Sequence, residues 1–232
     1  TTKWQGVQPN VIVYRTQRSS GGTFDTGNVF VVSSIAEKVN ENKEPAYVLD
    51  GYNYSISLDT VSAKSFELDE KAIVVDIDGN KRNDFDIKDL AAGDIISYGL
   101  NGNKLSVAML AYDNNGENYW VTNNPGTISA YTYGGYAYSV TDDGGYLTMC
   151  EGIHPSEIDI SSYENGGKYL QSFKIRKSSL LTFVDMTGKK VQFKSGSPED
   201  IQTYVRAGNG CSRVAVCCDW QSYVIGIIVY ID

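Results

Sequence analysis

The segment SFELDEKAIVVDIDGNK, residues 65–81, has a counterpart in SFKIRKSSLLTFVDMTGKK, residues 172–190. With one two-residue gap, Ser65, Phe66, Asp76, Gly79 and Lys81 fall on Ser172, Phe173, Asp185, Gly188 and Lys190. Working outward, the flanks agree in order as well. A Thr-Gly or Gly-Gly entry into an aromatic strand precedes each copy, in TGNVFVV and YGGYAYSV. After the hairpin turn at DIDGN or DMTGK come a short acidic turn, IKDL or PEDI, and an apolar strand ending in tyrosine, VAMLAY at 107–112 and GIIVY at 226–230. The unit is about a hundred residues long, well beyond the roughly 20–50 residues of solenoid repeats, so each copy reads as a domain with its own core.

The expected fold is therefore all-β: two tandem small barrels or sandwiches related by internal duplication, with minimal helix. Period-two alternation and β-branched runs support strands throughout, as in NVFVVSS at 28–34, KAIVV at 71–75, GDIISYG at 93–99 and SRVAVCCD at 212–219. AYVLDGYNYSISL at 46–58 reads as a hairpin turning at Asp50-Gly51. The polar, turn-rich DNNGENYW at 113–120 marks the boundary, dividing the chain into modules 1–112 and 113–232. WQGVQPNVIVY at 4–14 echoes WQSYVIGIIVY at 220–230, so residues 1–15 read either as the closing strand of a preceding unit or as a strand paired inside the first module. The best helical signal is SPEDIQTY at 197–204, with Ser197 as cap and Pro198 at the first position, good for one or two turns. IKDLAAGD at 87–94 is a similar short turn closed by Gly93.

Composition narrows the function. Forty-one per cent hydrophobic and 21% charged residues fit a globular protein, and no apolar run approaches a membrane span. A net charge of −8 argues against a phosphate-tracking surface, so nucleic acid is not an expected partner. The chain begins at Thr1 without methionine or leader, as expected of a processed or excised piece. Cys150, Cys211, Cys217 and Cys218 lack CxxC spacing and read as small buried hydrophobes in strands, with a bridge from Cys150 to one of the later three as the alternative. The one histidine, His154, excludes a multi-histidine metal centre, and any Ser/His/Asp arrangement would have to use it.

VVDIDGNKRNDFDIKDLAAGDIISYGLNGNKLSVAMLAY at 74–112 and the looser copy FVDMTGKKVQFKSGSPEDIQTY at 183–204 resemble the β-rich repeat regions of large surface proteins of Gram-positive gut bacteria, those that carry S-layer homology domains elsewhere in the chain. The second copy lacks the Gly-Asp of AAGD, and no S-layer homology domain is present. The resemblance implies an extracellular location on the bacterial cell surface and a non-enzymatic, structural or adhesive role.

Three constellations carry candidate chemistry. Asp76–Asp84 offers carboxylates at short spacing, but the sixth and twelfth positions counted from Asp76 are Lys81 and Ile87, where a calcium loop needs Gly and Glu, so the segment reads as a hairpin turn. Asp142-Asp143, the obvious pair for a carboxylate-dependent glycoside hydrolase, precedes Gly144-Gly145 and reads as a solvated turn. The aromatics between 119 and 140 supply the alternative function, a carbohydrate-binding module in which Trp120, Tyr131 and Tyr133 stack on sugar rings. Tyr131 and Tyr133 share one strand face, and Tyr136 and Tyr138 a face of the next. No catalytic residue, metal or cofactor is assigned. Expected partners are cell-wall or host glycans or neighbouring surface-protein domains.

Overall fold

A computed structural model of the chain describes residues 24–39, 43–55, 60–76, 81–115, 127–129, 132–161, 169–188, 190–219 and 221–231. It is all-β and divides into two units, Thr1–Asn53 with Ser62–Val121 and Tyr54–Val61 with Thr122–Asp232. The strand at 4–14 and the turns centred on Asp78-Gly79 and Trp120 lie outside the described residues.

In the first unit, strands β1 (Phe24–Val39), β2 (Pro45–Ser55), β3 (Thr60–Val75), β4 (Ile95–Asn101) and β5 (Lys104–Tyr112) close a barrel in the order β1-β2-β3-β5-β4. β3 and β5 run parallel, whereas β4 pairs antiparallel with both β5 and β1. Strict alternation sends Phe30, Val32, Ile96, Tyr98, Ala108 and Leu110 to one face, where they join Leu49, Phe66 and Leu105 in the barrel core. Phe30, Phe66 and Tyr98 meet there with ring centroids 4.7–6.0 Å apart, a geometry that adds to their burial.

The second unit contains β6 (Thr127–Ser129), β7 (Thr132–Val140), β8 (Tyr146–Glu151), β9 (Leu170–Lys174), β10 (Leu180–Asp185), β11 (Gln192–Ser195), β12 (Arg213–Cys218) and β13 (Val224–Ile231). Its sheet runs β11-β10-β13-β12-β7-β8-β9, with β6 paired to β7. Set beside the first unit, β7, β8, β12 and β13 take the places of β1, β2, β4 and β5. β9 and β10 are the two halves of β3, the first following on β8 and the second parallel to β13. The same strand order is thus built twice, with a parallel third and last strand each time. In both units the first residue of the penultimate strand faces the tyrosine that closes the pattern, Ile95 opposite Tyr112 and Arg213 opposite Tyr230. The hairpin after the third strand also recurs, as β10 with β11 and as the bridge between Val75 and Lys81.

Two glycine readings change. Asp50-Gly51 is no turn: both residues lie inside β2. A Cβ on Gly51 would stand 2.2 Å from the Val31 carbonyl oxygen and 2.6 Å from the Phe30 ring, so the glycine exists to let β1 approach. Gly134-Gly135 likewise lies within the continuous strand β7, not between two strands, and a Cβ on Gly135 would meet the Cys150 carbonyl oxygen at 2.1 Å. The acidic turns form as expected. Ile87–Asp89 is a 3-10 turn whose Asp86 accepts from Lys88 N–H, and Pro198–Asp200 is another, in which the Asp200 carboxylate accepts from the Ser197 N–H and hydroxyl. Gly93 follows the first with φ of +95°. After the second, the chain inserts a one-turn helix, Tyr204–Ala207, before β12.

Candidate functional site

The first unit carries a groove of about 390 Å³, within the roughly 300–1,000 Å³ of small-ligand sites. Its origin is a slip in β3. Leu68 faces Leu105 and Ile73 faces Val107, so β3 spends five residues where β5 spends two. The surplus around Asp69–Ala72 bows out and forms one wall. The opposite walls are the start of β2, the capped turn at Asp86–Lys88 and Lys104 at the head of β5. Tyr47, Leu68, Ala72 and Ile87 line the groove and belong to the barrel core or pack against it, so its apolar lining is continuous with a rigid interior. The rim is polar. Glu67 accepts from the Lys104 ammonium at 2.5 Å, and this hydrogen bond raises the lysine's pKa. Asp69 accepts from the Lys71 N–H and the Asn101 amide, which hold its carboxyl below the usual range. The Lys88 ammonium lies 4.3 Å from the Tyr47 ring centre.

The second unit gathers its elaborations on one face of β7. Tyr136 and Tyr138 point away from the core side taken by Tyr133 and Ala137. The Tyr136 ring stands edge-on to His154 at 4.9 Å, His154 lies 6.0 Å from Tyr204 of the inserted helix, and Tyr204 stacks on Tyr138 at 6.1 Å. His154 Nε2 is 3.3 Å from the Cys211 sulfur. A histidine beside a cysteine invites a nucleophilic reading, and the hydrogen bonds argue against it. His154 caps the 3-10 turn Pro155–Glu157, its Nδ1 accepting the Ser156 N–H at 3.2 Å. The lone pair is then on Nδ1 and the proton of the neutral ring on Nε2, facing sulfur as a donor. A general base for Cys211 would need its lone pair on Nε2. Burial also pushes the Cys211 thiol up, away from the thiolate, and pushes Cys150 up to about 11.

All four cysteines are buried free thiols. β7 lies between Cys150 on β8 and Cys217 and Cys218 on β12, which separates their backbones by about two strand spacings, roughly 10 Å, beyond the reach of a disulfide. Cys218 joins the core cluster, and its neighbour Cys217 does not, as alternation requires.

Of the residues expected to stack on sugars, only Tyr133 lies among the described residues. Trp120 and Tyr131 lie outside the described residues. Tyr133 is half-buried and packs on Phe173, centroids 5.2 Å apart, within the second core. Asp143 accepts from the Thr141 hydroxyl and the Gly145 N–H in the turn joining β7 to β8, which depress its pKa. Asp84 bonds Arg82 at 2.6 Å, and no group of three His, Cys, Asp or Glu side chains able to hold a metal ion exists among the described residues. Sequence reasoning missed Tyr47 and Lys104, whose only signal was an aromatic near the start of one strand and a lysine at the start of another. No protein-family model matches the chain, nor does any curated protein or solved structure.

Proposed function

We propose that the chain is a non-enzymatic structural or adhesive repeat module of a secreted bacterial surface protein. The observation that carries this reading is the recurrence of one strand order in both units. Copying a self-contained β framework lengthens a chain and multiplies its surface without adding reactive groups, which is what a projecting or adhesive segment requires. The chemistry at hand agrees with such a role: the single histidine is committed to capping a turn, and the cysteines are buried and protonated. The net charge of −8 keeps such a surface hydrated and discourages self-association.

The reading is tested on cells and in solution. Antibodies against the chain should label intact, unpermeabilised cells of the producing bacterium, and the purified chain should show no saturable turnover of chromogenic glycosides, esters or peptides. Confinement to the cytosolic fraction, or turnover lost on substituting an acidic residue, would sink it.

A further inference from the structure

We propose that the groove around Tyr47 is a binding site for an uncharged sugar chain of one or two residues' length. This deepens the adhesive reading by giving it a ligand class, and it places a glycan site in the first unit.

Three properties of the groove select that class. Its size excludes a folded partner and suits one or two pyranose rings. Its lining combines Tyr47, Leu68, Ala72 and Ile87 with the carboxylates of Glu67, Glu70 and Asp86 and the ammonium groups of Lys88 and Lys104. Sugars present that same alternation: C–H faces that lie against apolar or aromatic surface, and hydroxyls that need both acceptors and donors. The charge balance removes the competing classes. Five carboxylates, from Glu44, Glu67, Asp69, Glu70 and Asp86, stand against two lysines, so a phosphate, a sulfate or a uronate would be repelled. A bare divalent cation has no cluster of three ligating side chains to hold it among the described residues.

The structure also shows how the site would be held. Asp86 accepts the Lys88 backbone N–H and so fixes the turn at Ile87–Asp89, and Glu67 fixes the Lys104 ammonium. The turn and Lys104 are therefore placed by local hydrogen bonds, so a ligand meets them already arranged. Lys88 covers part of the Tyr47 ring, and its long, exposed side chain is the group that must swing aside for a ring to stack.

The test is a nuclear magnetic resonance titration of the full chain with cellotetraose, maltotetraose, N-acetylated chitotetraose and, as the anionic control, trigalacturonate. Saturable shifts confined to Tyr47, Glu70, Asp86, Lys88 and Lys104 with at least one neutral oligosaccharide, and none with trigalacturonate, are expected. Tyr47→Ala should weaken that binding at least tenfold. Because Tyr47 also packs on the core, Glu70→Ala on the exposed rim serves as the second variant, with at least a threefold loss and an unchanged spectrum elsewhere. Absence of saturable shifts with all three neutral oligosaccharides overturns the site, as does binding that both variants leave intact or binding of trigalacturonate alone. If the sugars fail while intact cells are still labelled, the glycan site falls and the surface-module reading stands.

Discussion

Asp94 is a carboxylate buried in the first unit. Its carboxylate is 1% exposed, accepts the Ala91 N–H at 2.7 Å and the Asn114 N–H at 2.8 Å, and ties the entry of β4 to the chain leaving β5. Burial pushes its pKa up to about 6, the two N–H bonds pull the other way, and the nearby Asp113 charge adds to the rise. A carboxyl titration followed by carbon-detected NMR should therefore show Asp94 changing protonation near pH 6, with Asn114 responding in step; a midpoint near 4 would mean that water reaches the site. Ser212 stands at the equivalent place in the second unit, its carbonyl accepting from Ala137 N–H as that of Asp94 accepts from Val32 N–H. The missing Gly-Asp noted in the sequence thus keeps one backbone bond, while Gly93, with φ of +95°, gives way to Cys211 at −68° after the inserted helix. Glycine supplies the second residue-scale prediction. Gly51→Ala places a methyl 2.2 Å from a backbone oxygen, so β1 and β2 must part, at a cost of about 3 kcal/mol, the upper end of overpacking penalties. Denaturant unfolding checks this: a loss below about 1 kcal/mol would show that the strands can slide.

At the scale of elements, the third strand explains what the sequence could and could not disclose. The matched Ser-Phe, Asp, Gly and Lys positions are set by one strand and its hairpin, so they stay local and survive as a readable spacing. The two-residue gap between the copies falls where β3 bulges and where β9 gives way to β10. The groove was invisible because Tyr47, Glu70, Asp86 and Lys104 come from four separate segments and only the barrel brings them together. The glycines misled for a similar reason: Gly51 answers to Phe30 on the neighbouring strand and Gly135 to Met149. In the first unit the bulky partner sits on the first strand and glycine on the second. In the second unit the two have exchanged strands, which conserves volume while erasing identity in the sequence. The cap at Pro155–Glu157 was foreshadowed by His154 preceding a proline, but its link to Cys211 was not. His154→Ala should cost about 1 kcal/mol through the lost cap, and should raise the rate at which Cys211 reacts with a thiol reagent such as dithionitrobenzoate. An unchanged rate would show that the imidazole does not shield the sulfur.

Across the whole molecule, protonation equilibria oppose one another, and their balance sets where the fold is most stable. Asp94 has a folded-state pKa near 6, above the ordinary 3.8. Its ionisation therefore removes stability as pH rises through that interval, on the order of 3 kcal/mol when complete. Other carboxylates act in the reverse sense. The Lys194 ammonium and the Thr187 hydroxyl and N–H hold Asp185 at about 2, and bonds from Lys38 and Ser65 outweigh the burial that would raise Asp50. These contributions are intact above pH 4 and disappear as acid titrates the groups, but their exposure limits each to a small share. Net charge works in the same direction as Asp94: with 28 acidic and 20 basic side chains, self-repulsion grows from the isoelectric region near 4.7 toward neutrality. The midpoint of thermal unfolding should accordingly be higher at pH 5.5 than at 7.5, and 0.2 M sodium chloride should recover part of the difference by screening. Asp94→Asn should flatten the remaining, salt-independent slope, since it removes the buried carboxyl whose pKa is raised to about 6. A midpoint that climbs steadily from pH 5.5 to 7.5 in the wild-type chain would contradict this ordering of effects. A salt-independent slope that survives the substitution would show that Asp94 does not set the acid preference.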